Sequence, residues 1–140
     1  MSKARDRLGA LAQLRGPREL ALFSYVTAFA SAVPLLMRLP LPRAGALLTR
    51  PPGRPRNAER LPVLAALAAR LAHPLVRTGC LTRGVTLFWF LRRAGVDVEL
   101  RFGVDPRTFD AHCWLTLDGK PYLEREDPSR FAETYRLPAA

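Results

Sequence analysis

The sequence predicts an α+β fold: N-terminal helices, then one further helix packed on a small antiparallel sheet. Three observations carry this. Apolar residues recur at helical spacing in several runs up to Leu91. After Gly95 the pattern changes to period two, with Val96, Val98, Leu100 and Phe102 alternating with Asp97, Glu99 and Arg101. Asp118-Gly119 then punctuates two extended runs as a hairpin turn would. At 140 residues, 49% of them hydrophobic, the chain is long enough to bury a real core and too apolar for general disorder. Residues 1–56 read as a helical region with a Pro/Arg-rich linker and 57–140 as the core, the two forming one compact unit.

Lysine and arginine number 22 against 12 acidic residues, a net charge of +10. That balance fits an anionic partner, or simply a coding bias towards arginine and alanine. The two cysteines, Cys80 and Cys113, are too few for a disulfide framework and lack CxxC zinc spacing, so no metal and no cofactor is expected. A single bridge between them would consume the more interesting thiol.

In chain order, Met1 to Arg18 is basic, with Ala10, Leu11 and Leu14 as a short apolar face, and Pro17 suits the first turn of the next helix. Leu20 to Met37 is an 18-residue run without charge. It is read as a helix buried in the domain, ahead of a membrane anchor or a signal peptide cleaved near Ala28-Phe29-Ala30, because Ser24, Tyr25, Thr27 and Ser31 dilute it. Leu41 to Leu48 predicts a short helix, and Arg50 to Arg56 an exposed, extended basic loop. Asn57 to His73 predicts a helix capped by Asn57, with Leu64, Leu67 and Leu71 on one side; His73 is read as a helix-terminal histidine.

Gly79 to Gly95 is the stretch on which the function turns. Leu81, Val85, Phe88 and Leu91 make one apolar face, Arg92 and Arg93 suit the helix C-terminus, Gly95 the C′ position and Thr78 the N-cap. Cys80 therefore falls in the first turn, where unpaired N–H groups favour a thiolate. Strands follow at Val96–Phe102, Phe109–Leu117 and Lys120–Leu123, and Phe131 to Leu137 reads as a short strand or packed tail. On the second strand His112 and Trp114 share one face, Cys113 and Leu115 the other. If His112 faces Cys80, Cys113 faces away into packing.

A thiolate at a helix start and a histidine on a following strand is the order found in papain-like and transglutaminase-like enzymes, and it suits acyl transfer through a thioester. A third group should orient the imidazole: Glu124 is favoured, with Asp118, Glu126 and Asp127 as alternatives. The Cys80 N–H is a natural oxyanion donor, and Trp114 a guess for the second.

Four segments carry a resemblance: Cys80-Leu81-Thr82-Arg83, Phe90-Leu91-Arg92-Arg93-Ala94-Gly95-Val96, Arg101-Phe102-Gly103-Val104, and Ala111-His112-Cys113-Trp114-Leu115-Thr116-Leu117-Asp118-Gly119. Together they resemble the peptidase protein of lasso-peptide biosynthesis, whose pattern is Cys-Leu, a downstream Arg-Arg-x-Gly, then His-Ala-Trp-Val-x-x-Asp-Gly. The likeness spans about Leu61 to Pro138. It implies a transglutaminase-like fold and a cysteine leader peptidase, with Cys80 as nucleophile, His112 as base and the acidic member near Glu124, where aspartate is commoner. Cys113 stands where the family usually has alanine.

The resemblance further implies a precursor leader peptide as substrate, a macrolactam cyclase as partner and a cytoplasmic place of action. That family's leader-binding winged-helix module would be a separate protein, since the segment before Leu61 has no strand-alternating run. Leu20 to Met37 and Arg50 to Arg56 are docking surfaces to consider; nucleic acid is not expected and membrane contact is not favoured. Two rivals remain open: a non-catalytic basic adaptor, and an acyltransferase or amidase on the same fold.

Overall fold

The structure is a computed structural model and describes residues 5, 8–9, 12–49, 58–72, 79–124 and 127–138. Helix α1 runs Pro17–Leu36. Proline at its first position and Glu19 in its first turn favour that start. Val26, Ala30 and Val33 form its buried stripe, one turn apart. Ser24, Thr27 and Ser31 each donate a hydroxyl to the carbonyl four residues back, so the polar groups that dilute this helix are satisfied within it.

The expectation of a buried helix holds for one side only. Tyr25 is 71% and Leu35 64% exposed. By length and composition alone α1 could cross a membrane; in the fold it packs on two helices of the core.

Helix α2 spans Leu41–Leu48, as predicted. It lies against the last strand: a Cβ at Gly45 would fall 2.6 Å from Leu137 Cδ2. A 3₁₀ turn, Ala58–Arg60, leads into α3, Leu61–Leu71, so this helix starts later than expected and Arg60 occupies its N-cap. The Arg60 guanidinium reaches back to Glu19 of α1. Asn57, His73, Thr78 and the loop Arg50 to Arg56 lie outside the described residues.

Helix α4 is Cys80–Arg93. Val85, Phe88 and Leu91 are buried as expected, whereas Leu81 is 38% exposed beside a buried Thr82. Gly95, at φ +91°, ends the helix in the left-handed conformation predicted for it.

The strands are β1 Glu99–Val104, β2 Ala111–Leu117, β3 Lys120–Tyr122 and β4 Ala132–Leu137. They form one antiparallel sheet in the order β3-β2-β1-β4. Phe109, expected to open β2, precedes it at φ +62° with its side chain 81% exposed. His112 pairs with Gly103 and Cys113 with Phe102 across β1 and β2. The core is the sandwich of α4 on this sheet: Val85, Phe88 and Leu91 meet Leu100, Cys113 and Leu115, and α1, α2 and α3 add Val26, Leu48 and Ala68.

Candidate active site

Cys80 is the first residue of α4, after an extended Gly79, and no side chain caps this end. The first intrahelical bond is Arg83 N–H to the Gly79 carbonyl at 3.1 Å. The N–H groups of Cys80, Leu81 and Thr82 therefore have no partner four residues back, and a half-buried sulfur sits beside them.

The second and third residues of β2 both meet this sulfur's surroundings. The Cys113 thiol donates to the Cys80 carbonyl at 3.0 Å. Its own sulfur rests on α4 at Gly84, where a Cβ would come within 3.2 Å of it. Cys113 thus faces Cys80 rather than away, which corrects the expectation drawn from strand alternation. Alternation sorts side chains that stand above the middle of a sheet. Beside the first residues of a strand, side chains of either face and the backbone between them converge on one group. Both cysteines are reduced.

The Cys80 thiol is lowered to about 5. The S–H of Cys113 is the largest cause, burial opposes it, and the Cys113 backbone N–H and the His112 ring add to the fall. Cys113 moves the other way, pushed far up by its hydrogen bond to Cys80 and by its own burial.

His112 Nε2 lies 3.5 Å from Glu124 Oε2, with the two side chains only 12% and 10% exposed. That is ion-pair range, longer than a good hydrogen bond, and Nε2 has no hydrogen-bond partner in this structure. The His112 ring also reaches the Cys80 thiol, as its part in lowering that thiol requires. Phe131 stacks on the imidazole at 4.8 Å and Trp114 lies nearly parallel to it at 6.0 Å, so the ring has little freedom to turn. Leu123, at φ +56°, turns Glu124 inward, and Arg83 of α4 fastens that bend by donating to the Leu123 carbonyl at 2.8 Å.

The other acidic residues are elsewhere. Asp118 sits exposed in the β2–β3 turn, six strand residues or roughly 20 Å along from His112. Asp127 is exposed and accepts the Ser129 N–H at 3.0 Å. Glu126 lies outside the described residues. Trp114 is buried, with its ring over Gly103, where a Cβ would fall 2.9 Å from it. Sequence reasoning gave no role to Arg83, Phe131 or the Cys113 thiol. Only Arg83 left a signal, three residues after Cys80 and so on the same side of the helix. Among the described residues no three of His, Cys, Asp and Glu gather as a metal-holding group.

A lowered thiol beside an imidazole that is backed by a carboxylate can form and resolve a thioester. This sets the class, an α+β fold of the cysteine protease and acyltransferase kind. Within it, the chain belongs to the transglutaminase-like superfamily, which it matches over residues 25–136, about four-fifths of its length. It has no significant match among curated proteins or solved structures.

Proposed function

We propose that this protein is a cysteine leader peptidase that frees the core of a ribosomally made lasso-peptide precursor. It would act in the cytoplasm with a separate winged-helix leader-binding protein and a macrolactam cyclase. The observation that carries the reading is the convergence of Cys80, His112 and Glu124 on a transglutaminase-like fold. The four sequence segments that resemble the lasso-peptide peptidases give it its substrate.

In this reaction the Cys80 thiolate attacks the carbonyl of the scissile bond. The oxyanion meets the N–H groups at the start of α4. His112, as imidazolium, protonates the departing amine and then takes a proton from the water that hydrolyses the thioester. Glu124 holds the ring, while Phe131 and Trp114 limit its rotation.

A second reading, acyl transfer to an amine or amide hydrolysis, is favoured by the superfamily itself. It uses the same residues up to the thioester and differs only in the acceptor. The adaptor rests on the net charge of +10 alone.

Mass spectrometry of leader release separates these readings, using any precursor and any small leader-binding protein encoded beside this chain. Cys80→Ala abolishes cleavage, and His112→Ala lowers it about 10²- to 10⁴-fold. Glu124→Gln costs roughly ten- to a hundredfold, because the imidazole keeps its place but loses its counter-charge. Cleavage equal in all variants ends the catalytic reading. Transfer to an added amine in place of hydrolysis selects the second. A folded wild type that cleaves nothing yet binds an acidic partner selects the adaptor.

A further inference from the structure

We propose that the groove between α1 and the C-terminal half of α4 docks an acidic amphipathic helix of a partner protein. This goes beyond the peptidase reading, because Cys80 takes no part in the groove. Trp89 and Arg93, which line it, lie about 13–20 Å further along the α4 axis.

Three observations carry it. The first is shape. The groove holds about 1020 Å³, at the top of the range of about 300–1,000 Å³ that small-molecule sites occupy. Its α1 wall runs from Arg18 to Phe29, about 16 Å or three helical turns. Ala21 and Ala28 keep that wall low. Such a trough suits a rod three turns long better than the plane of a bilayer.

The second is the chemistry of the walls. On α1, Tyr25 and Phe29 stand one turn apart, beside the buried stripe of Val26, Ala30 and Val33. Phe29 stacks on Trp89 at 5.3 Å and meets Phe90 edge-on at 5.6 Å, so the aromatic floor is fixed before a partner arrives. Tyr25 stands largely in solvent. Tyrosine and tryptophan are the side chains that most often anchor interfaces.

The third is charge. Arg18 on the α1 wall and Arg93 on the α4 wall are both exposed. The Arg93 guanidinium rests over the Trp89 ring at 5.3 Å, a contact that uses none of its N–H donors. Among the described residues none that lines the groove is acidic, and Glu19, next to Arg18 in the chain, is held by Arg60. The net charge of +10 draws carboxylates in from a distance. A second copy of this chain would bring the same cations, and like charge opposes that occupant. A partner helix with bulky apolar side chains for the aromatic floor and carboxylates on both flanks answers all three. Seated there it leaves Cys80 open, and about six extended residues span the distance to the sulfur.

The test is the fluorescence anisotropy of a labelled synthetic peptide of about 14 residues, with leucines at helical spacing and glutamates on both flanks. A counterpart carries lysine for each glutamate. The glutamate peptide should bind with a Kd of about 10 µM and the lysine peptide about tenfold more weakly or worse. Arg18→Glu with Arg93→Glu raises the Kd about tenfold, and Tyr25→Ala about fivefold. Arg38→Glu changes an exposed arginine outside the groove and shifts the Kd by less than about twofold. Cys80→Ala binds as wild type does.

Hydrogen exchange on wild type needs no variant to fold. The glutamate peptide should slow exchange within 17–29 and 89–94 and leave β1 and β2 unchanged. No binding, equal binding of the two peptides, an Arg38→Glu effect as large as that of the groove pair, or protection elsewhere overturns the proposal. So does a protein that ignores the peptide but sediments with phosphatidylglycerol vesicles through Arg18 and Arg93, which assigns the face to a membrane surface. None of these readouts uses the nucleophile. Cleavage that needs Cys80 in a protein whose groove binds nothing defeats the docking alone. A groove that binds in a protein that never cleaves defeats the peptidase reading alone.

Discussion

The two ends of α4 are built in opposite ways. At its C-terminus the backbone is satisfied: Ala94 N–H reaches the carbonyls of Phe90 and Leu91, and Gly95 N–H reaches that of Arg92. Arg92, buried over the Phe88 ring, donates to Asp97 at 2.9 Å and to the Val98 carbonyl at 3.2 Å. At its N-terminus Gly79 is exposed and supplies no side-chain cap. One end ties the helix to the chain that enters β1. The other leaves its N–H dipoles to a sulfur. A cap of the ordinary kind would stabilise the helix by about 1 kcal/mol and would occupy the donors that the thiolate and an oxyanion need.

Breaking the tied end should have the largest effect on stability. Arg92→Ala is expected to cost about 2–3 kcal/mol in urea unfolding, since it strands the Val98 carbonyl and removes a buried guanidinium. The pH midpoint of Cys80 alkylation should not move, because Arg92 lies more than three helical turns away. If it does move, the two ends are not independent.

Gly84→Ala probes the middle. The new methyl presses on Cys113 and Leu100 together, for about 1–2 kcal/mol of stability.

The mildest perturbation is pH itself. A thiol lowered to about 5 is a thiolate above that value and a thiol below it. Single-turnover leader cleavage should therefore hold its Cys80-dependent rate as pH falls towards 6 and lose it on passing through about 5. A rate already dropping below about pH 8 would mean an ordinary thiol.

Much of this architecture was legible because it is local. Periodicity and Gly95 defined α4, and Asp118-Gly119 the β2–β3 turn, since each depends on residues a few positions apart. Glu124 beside His112 followed from hairpin geometry. What escaped depends on distant parts of the chain. Nothing in Ala132–Leu137 says that it crosses to the free edge of β1 instead of lying beside β3. Alternation along β2 misplaced Cys113 because it takes no account of where a helix end will sit. Leu81 keeps the helical period yet is 38% exposed, since at the start of α4 the buried side passes through Thr82 instead.

The Arg83 bond to the Leu123 carbonyl spans forty residues and makes two of the three site groups passengers of one body. Cys80 rides on α4 directly and Glu124 is moored to it through this strut, whereas His112 belongs to the sheet. The strut therefore couples the place of Glu124 to the same helix that presents Cys80, across the strand that carries His112.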